Sequence, residues 1–326
     1  IMTDTRNLKI EIGHRSIIFA ILFILSLKFL VVIQSILITL FISFLLSTAI
    51  FPLVNTLHRF RIPRALSTAV ILVLLVIGVS LIFASIMPLV ISQTNAFLIR
   101  FPDLLDQLGS YRIDSSVLTS QISNFSGNIL RLAFDTFSVG IMLMTILVIT
   151  FYLVQERAHL DERLRYLFGD RSEKAKKMYL EIETQLGKWV RTMAILMFLI
   201  GLQTYIGLEL IGIEYALPLA LIAGLLEIIP NIGPTVAAIP AAIVGFATSP
   251  IHGFLTIGLA ALIQQLENNV LVPNLMKSST GLHPVITIVA LLIGFQLGGA
   301  LLAVLSLPLV LAGKIVFLHF YSEKNS

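Results

Sequence analysis

The sequence predicts an all-α integral membrane protein of about eight transmembrane helices, with broken or re-entrant helices in the C-terminal half and a small extracytoplasmic helical insertion. Three observations predict it. Of 326 residues, 57% are hydrophobic and only 12% are charged, where a soluble domain carries about 25% charged residues. Mean hydropathy is +0.97, which leaves too little polar surface to cover a water-soluble globule. Apolar runs of the roughly 20 residues needed to cross a bilayer recur along the chain. Cysteine is absent, so disulfides and thiolate metal sites are excluded. No residue spacing calls for a metal or a cofactor.

The polar N-terminus carries Arg6, Lys9, His14 and Arg15, and an apolar stretch begins at Ser16. No small-residue cleavage site follows, so the first span reads as an uncleaved anchor. Residues 16–52 form one apolar stretch interrupted by Lys28 and Gln34. It is too long for one span, and the expectation is a tight helical hairpin with Lys28 near its tip, snorkelling to the interface. A third span covers about 65–90 and ends near Met87-Pro88, so 1–90 is expected to be a three-span region. Residues 91–135 place Leu118, Ile122, Phe125, Ile129 and Leu132 on one helical face, with Gly109-Ser110 as a turn. They are expected to form a helical hairpin outside the bilayer.

A fourth span covers 136–155. Residues 156–188 are amphipathic, with Met178, Ile182, Leu186 and Trp189 on one face, and Asp170 with Glu173 loosely fits a capping box. Such helices often lie along a membrane surface. A fifth span covers about 190–211, and 189–326 is expected to be a C-terminal transport core. Basic residues set the orientation. They concentrate in the N-terminal tail, in Arg59, Arg61 and Arg64, in 156–188, and in Lys314 and Lys324 at the end; 91–135 holds only Arg100, Arg112 and Arg131. Both termini and 156–188 are therefore expected in the cytoplasm, with 91–135 outside.

The candidate site lies in the run Gly224-Leu-Leu-Glu227-Ile-Ile-Pro230-Asn231-Ile-Gly233-Pro234. A carboxylate in an apolar run is costly and marks a functional site by default. Proline breaks the helical ladder, and at membrane depth a break is tolerated only against protein or water. Discontinuous helices of this kind build transporter binding sites. The competing reading puts Glu227 at headgroup level in an interfacial loop. A second stretch echoes the first: Glu267-Asn268-Asn269, then Pro273-Asn274, then Gly281-Leu-His283-Pro284. Both Pro-Asn pairs follow a Glu, and both lead to Gly-Phe, at 245–246 and 294–295. This is either a weak internal repeat around a shared site or coincidence. Gln264, Glu267 and Asn268 share a helical face that lipid would not tolerate; it suits substrate contact or polar glue between helices. His283 could titrate near neutrality or serve a turn. Gly294, Gly298 and Gly299 permit close helix packing.

On these residues the chain resembles the autoinducer-2 exporter (PerM-type permease) superfamily. The matching stretches are Glu227 to Pro234, Asn268 to Pro273, Gly281 to Pro284 and Gly294 to Pro308, and the order of polar and apolar segments matches along nearly the whole chain. Phe295 and Leu302 depart from it, standing where the family shows glycine. The resemblance implies a multi-pass protein of the bacterial inner membrane with eight spans, cytoplasmic termini and a homo-oligomeric state, with a pentamer as one form. It implies export of small signalling molecules, such as the quorum-sensing signal autoinducer-2, or in some members cation/proton antiport.

The expected function is thus secondary transport of a small solute, with sodium (or lithium)/proton antiport as the alternative. No phosphate loop is present, so energy would come from a gradient. Glu227 and Glu267 are expected to carry coupling or polar recognition, Asn231, Asn269 and Asn274 to bind through amides, and Gly233 and Gly281 to allow motion. Zincin and nucleophile-elbow motifs are absent, so an enzyme is not expected, nor is a nucleic-acid partner. A membrane scaffold is the reading from a different class, but it has little use for unwound helices at depth.

Overall fold

The computed structural model describes residues 14–81, 84, 136–229, 233–276 and 283–322. The hairpin expected at 91–135 lies outside them. Every regular element among the described residues is helical: α1 (His14–Arg59), α2 (Arg64–Leu81), α3 (Thr136–Glu156), α4 (Leu160–Phe168), α5 (Ser172–Ile211), α6 (Ala216–Leu226), α7 (Gly233–Thr248), α8 (Pro250–Leu266), a π-turn (Glu267–Leu271), α9 (Val272–Met276) and α10 (Pro284–Ser322). By length and composition, membrane-crossing stretches lie in Val32–Arg59, Arg64–Leu81, Gly140–Ile211 and Val285–His319. The third takes in α3 and the apolar half of α5.

The N-terminus corrects the sequence expectation. Residues 14–59 form one continuous helix of 46 residues, about 69 Å long at 1.5 Å per residue, with no turn near Lys28. From Ser16 to Phe51 the chain holds no Gly, Pro or Asn. Lys28 and Gln34 are good helix formers, and a charge that can reach the interface does not stop a helix. The described part of 1–90 therefore shows two long helices where three were expected. Small hydroxyl residues let α1 and α3 approach closely. Ser43, Ser47, Thr48 and Thr150 are all buried. Thr150 Oγ1 donates to the Ile146 carbonyl at 2.7 Å and reaches the Ser43 carbonyl of α1 at 3.3 Å.

A helix, α3, occupies the stretch expected as the fourth span, and the amphipathic segment from Ser172 is continuous with the helix expected as the fifth. Helix α5 runs unbroken through 40 residues, about 60 Å, because nothing between Ser172 and Ile211 is a proline. The expected capping box at Asp170 and Glu173 is not made, since Arg171 occupies the N-cap position with no side-chain cap bond. The N-terminal half of α5 is tied to the N-terminal bundle by charge. Arg157 Nε donates to both carboxylate oxygens of Glu183, at 2.9 and 2.8 Å, while its guanidinium lies over the Phe51 ring of α1 at 4.9 Å. Burial, with Glu183 beside it, pushes the Tyr179 phenol up to about 12. Glu183→Gln should lower the thermal stability of the detergent-solubilised protein by about 1–3 kcal/mol, the usual loss for a hydrogen bond to a charged group. An unchanged melting midpoint would show that the pair does not join the two parts.

In the C-terminal half the chain doubles back twice. Helix α6 has 11 residues, about 16 Å, too short for the hydrocarbon core. It packs antiparallel on α7: Ala216 and Leu219 of α6 share a core cluster with Ala241 and Val244 of α7, and Ala223 lies with Ala237 nearer the tip. Helices α6 and α7 are therefore the two arms of a hairpin and not one kinked span; between them, residues 230–232 lie outside the described residues. Helix α10 reverses at Gly298-Gly299, which have non-helical dihedrals, Gly299 with φ of 66° in the left-handed region. A Cβ on Gly294 would stand 2.5 Å from the Leu302 carbonyl oxygen. Residues eight apart in a straight helix are about 12 Å apart, so the two arms must fold against each other. Close packing at Gly294 is thus realised, and Gly298 and Gly299 make the turn itself. The main core gathers Leu45 of α1, Leu186, Trp189 and Met193 of α5, and Ala290, Leu291, Ala303 and Leu311 of α10.

Candidate functional site

Two carboxylic acids meet where the α6–α7 hairpin tip reaches α8. Glu227 follows the last residue of α6, and its amide still donates to the Ala223 carbonyl at 3.1 Å. Glu267 opens the π-turn that ends α8. Such turns reorient a side chain by inserting one residue into the helix, and they recur at functional sites. The register of α7 on α8 brings Ala237 beside Ile263, so one turn further along Glu267 stands level with the tip. Both side chains are fully buried at 0% exposure, and their carboxyl groups adjoin.

The pair lacks donors. Gln264 Nε2 donates to Glu267 Oε2 at 3.3 Å. Both oxygens of Glu227 and Oε1 of Glu267 accept no hydrogen bond from any described residue, and no described Lys or Arg forms a salt bridge to either. Two adjoining buried carboxyls call for a compensating partner, because uncompensated buried charge is expensive. A proton, a cation or the donor groups of a passing solute can each supply it. Helices α5 to α8 line a cleft of about 30 Å³ that reaches Pro234 and Ile263, near the pair, without including either glutamate. Thr204 and Thr256 are its hydroxyl groups; Ala223, Pro234, Ala237 and Ile263 are among its apolar walls. That volume admits water or a small ion.

Gly233 makes the tip possible. A Cβ there would overlap the carbonyl of Leu226 and stand 2.9 Å from the Glu227 amide, so the turn closes only because position 233 has no side chain.

The residues expected at the site separate into three groups. Glu227, Gly233, Gln264 and Glu267 come together where the hairpin meets the end of α8, and Pro234 lines the cleft. Asn268, Asn269, Pro273 and Asn274 are exposed, and Asn269 Nδ2 donates to Gln265 Oε1 at 2.9 Å on the outer face. The π-turn separates Asn268 from the buried face it was expected to share with Glu267. Pro273 does not break the chain, since the π-turn runs directly into α9. The two Glu-to-Pro stretches are therefore unlike: one is a hairpin tip, the other a continuous helix with a π-turn. His283 is exposed, with Nδ1 accepting from the Val285 amide at 3.3 Å as a local cap before Pro284. Pro230, Asn231 and Gly281 lie outside the described residues. Thr204 and Thr256 were missed. Their signal was weak, because hydroxyl residues in apolar helices usually bond their own backbone, as Thr256 does to His252.

A family model described as "AI-2E family transporter" matches residues 17–322. The chain is 27% identical to the putative transport protein YrrI of Bacillus subtilis, over 93% of this chain and 92% of that one. It is 24% identical to the putative transport protein YhhT of Escherichia coli K12, over 81% and 79% of the two chains. With the putative permease PerM of the same strain it shares 24% identity over 78% of each.

Proposed function

We propose, from the premise that this chain belongs to the AI-2E transporter family, that it moves a small polar solute such as autoinducer-2 across the membrane past the Glu227–Glu267 pair. The observation that carries this reading is the pair itself: two fully buried, adjoining carboxyl groups with three oxygens that no described residue satisfies. The pair binds a proton or cation in one state and exchanges it as solute passes. The hairpin tip, closed on Gly233, is the element that moves, and it alternates access to the two sides.

Sodium/proton antiport is the second reading, and the unsatisfied carboxyl oxygens favour it, because such oxygens are proton acceptors and hard-cation ligands. Reconstituted protein separates the two. Autoinducer-2 efflux that persists without sodium supports the exporter. Dye-reported proton movement on adding sodium, with no organic flux, supports antiport. Absence of both removes the transport reading of this pair.

The orientation proposal covers the Arg59–Arg64 loop, 156–188 and the C-terminus, all in the cytoplasm of a bacterial inner-membrane protein. Basic residues concentrate in the two internal segments. His319 near the end of α10 approaches Glu181 of α5 at 3.8 Å, which supports the same side for the C-terminus. The N-terminus is left out of this proposal, because its expected side depended on a turn that α1 does not make. A homo-oligomer is part of the proposal; the long apolar face of α1, with Phe19, Val32 and Ile36 exposed, is available to lipid or to another copy.

A further inference from the structure

Pro52 lies inside α1. In an α-helix the amide of each residue donates to the carbonyl four residues earlier. Proline has no amide hydrogen, so position 52 deprives the Thr48 carbonyl of its donor. Thr48 cannot repair this itself, because its hydroxyl donates to the Leu45 carbonyl at 2.8 Å. The site is buried, with Thr48 at 3% exposure, and an unmet carbonyl there is costly.

The missing donor arrives from α5. Arg191 Nη1 stands 3.2 Å from the Thr48 carbonyl oxygen and 3.2 Å from that of Ala49. Gly187, one turn earlier on α5, lets it in. A Cβ on Gly187 would stand 2.6 Å from the Thr48 oxygen and 3.1 Å from Nη1, so the two backbones touch where the guanidinium enters. Arg191 has no acidic partner among the described residues, so ion pairing does not explain its place. Proline in a membrane helix survives where a neighbouring helix satisfies the freed group. Arginine suits the task because its fork keeps other donors free for water while one nitrogen is committed.

We propose that Arg191 is a positioning residue: it supplies across the helix interface the hydrogen bond that Pro52 removes from α1, and it fixes α1 against the helix that carries the α6–α7 hairpin. The inference does not depend on the Glu227–Glu267 pair or on the transported species.

A double-mutant cycle tests it. Arg191→Met removes the donor and keeps an apolar stem; Pro52→Ala restores the amide. In the Pro52 background Arg191→Met should lower the melting midpoint of the purified protein by several degrees. With Pro52→Ala present, the same substitution should have little effect, because the Thr48 carbonyl again has its own donor. Equal losses in both backgrounds, or no loss in the first, overturn the proposal. If the Pro52→Ala protein cannot be produced, hydrogen–deuterium exchange on Arg191→Met alone decides. Faster exchange confined to peptides spanning 49–56 and their α5 contact supports the role, and a uniform rise along the chain overturns it.

Discussion

Glu227→Gln should cut transport at least tenfold, about 1.4 kcal/mol in transition-state terms, while the protein stays folded. The amide keeps the shape of the carboxyl but cannot take up or release a proton, and it is a poorer cation ligand. Folding should not suffer, because the substitution removes a buried group with two unmet oxygens and adds no volume. Glu267→Gln should act alike, with a smaller effect on flux because Gln264 already donates to one of its oxygens. Residues that work as one unit are not additive, so the double variant should be no slower than the worse single one. Unchanged, pH-independent flux in Glu227→Gln would remove this residue from the mechanism.

Gly233→Ala should destabilise the protein by about 2–3 kcal/mol, near the upper end for overpacking. The obstruction is backbone: the new methyl would overlap the Leu226 carbonyl and press on the Glu227 amide. No rotamer change can relieve that, so the hairpin tip must open and the two carboxyls must separate. Both a lower melting midpoint and lower flux are expected. Gly140→Ala is the control. A Cβ at Gly140 meets nothing within 4 Å, and alanine is the better helix former by up to about 1 kcal/mol. Equal behaviour of the two variants in thermal unfolding would show that the tip is not closely packed.

The membrane class, the helices around 136–155 and 190–211, and the oddity of Glu227 and Glu267 as carboxylates in apolar runs were legible because each is local. Apolar run length marks a span, and a carboxylate in such a run is conspicuous by its cost. The turn expected at Lys28 was a length argument, and it failed because no residue there breaks a helix. Pro273 misled in the opposite sense: the helix absorbs it through the π-turn at Glu267–Leu271. That turn leaves Glu267 buried and Asn268 exposed, a split that a regular helical reading of 264–274 does not give. The adjoining of Glu227 and Glu267 is likewise a property of register between α7 and α8, set by small residues such as Ala237 along the shared face. Arg191 was overlooked inside an expected span. Its signal was readable only by asking which carbonyl Pro52 leaves open, and then only once α1 and α5 were known to touch.

Labelling with two carbodiimides tests the central claim most directly. A lipid-soluble carbodiimide should modify Glu227 or Glu267 in the intact protein, as read by mass spectrometry of the peptides. The transported species should protect, sodium under antiport or autoinducer-2 under export, whereas choline at equal ionic strength should not. A water-soluble carbodiimide should leave both residues untouched. Modification by the water-soluble reagent at the same rate as an exposed carboxylate such as Asp161 would place the pair in bulk solvent and contradict the account.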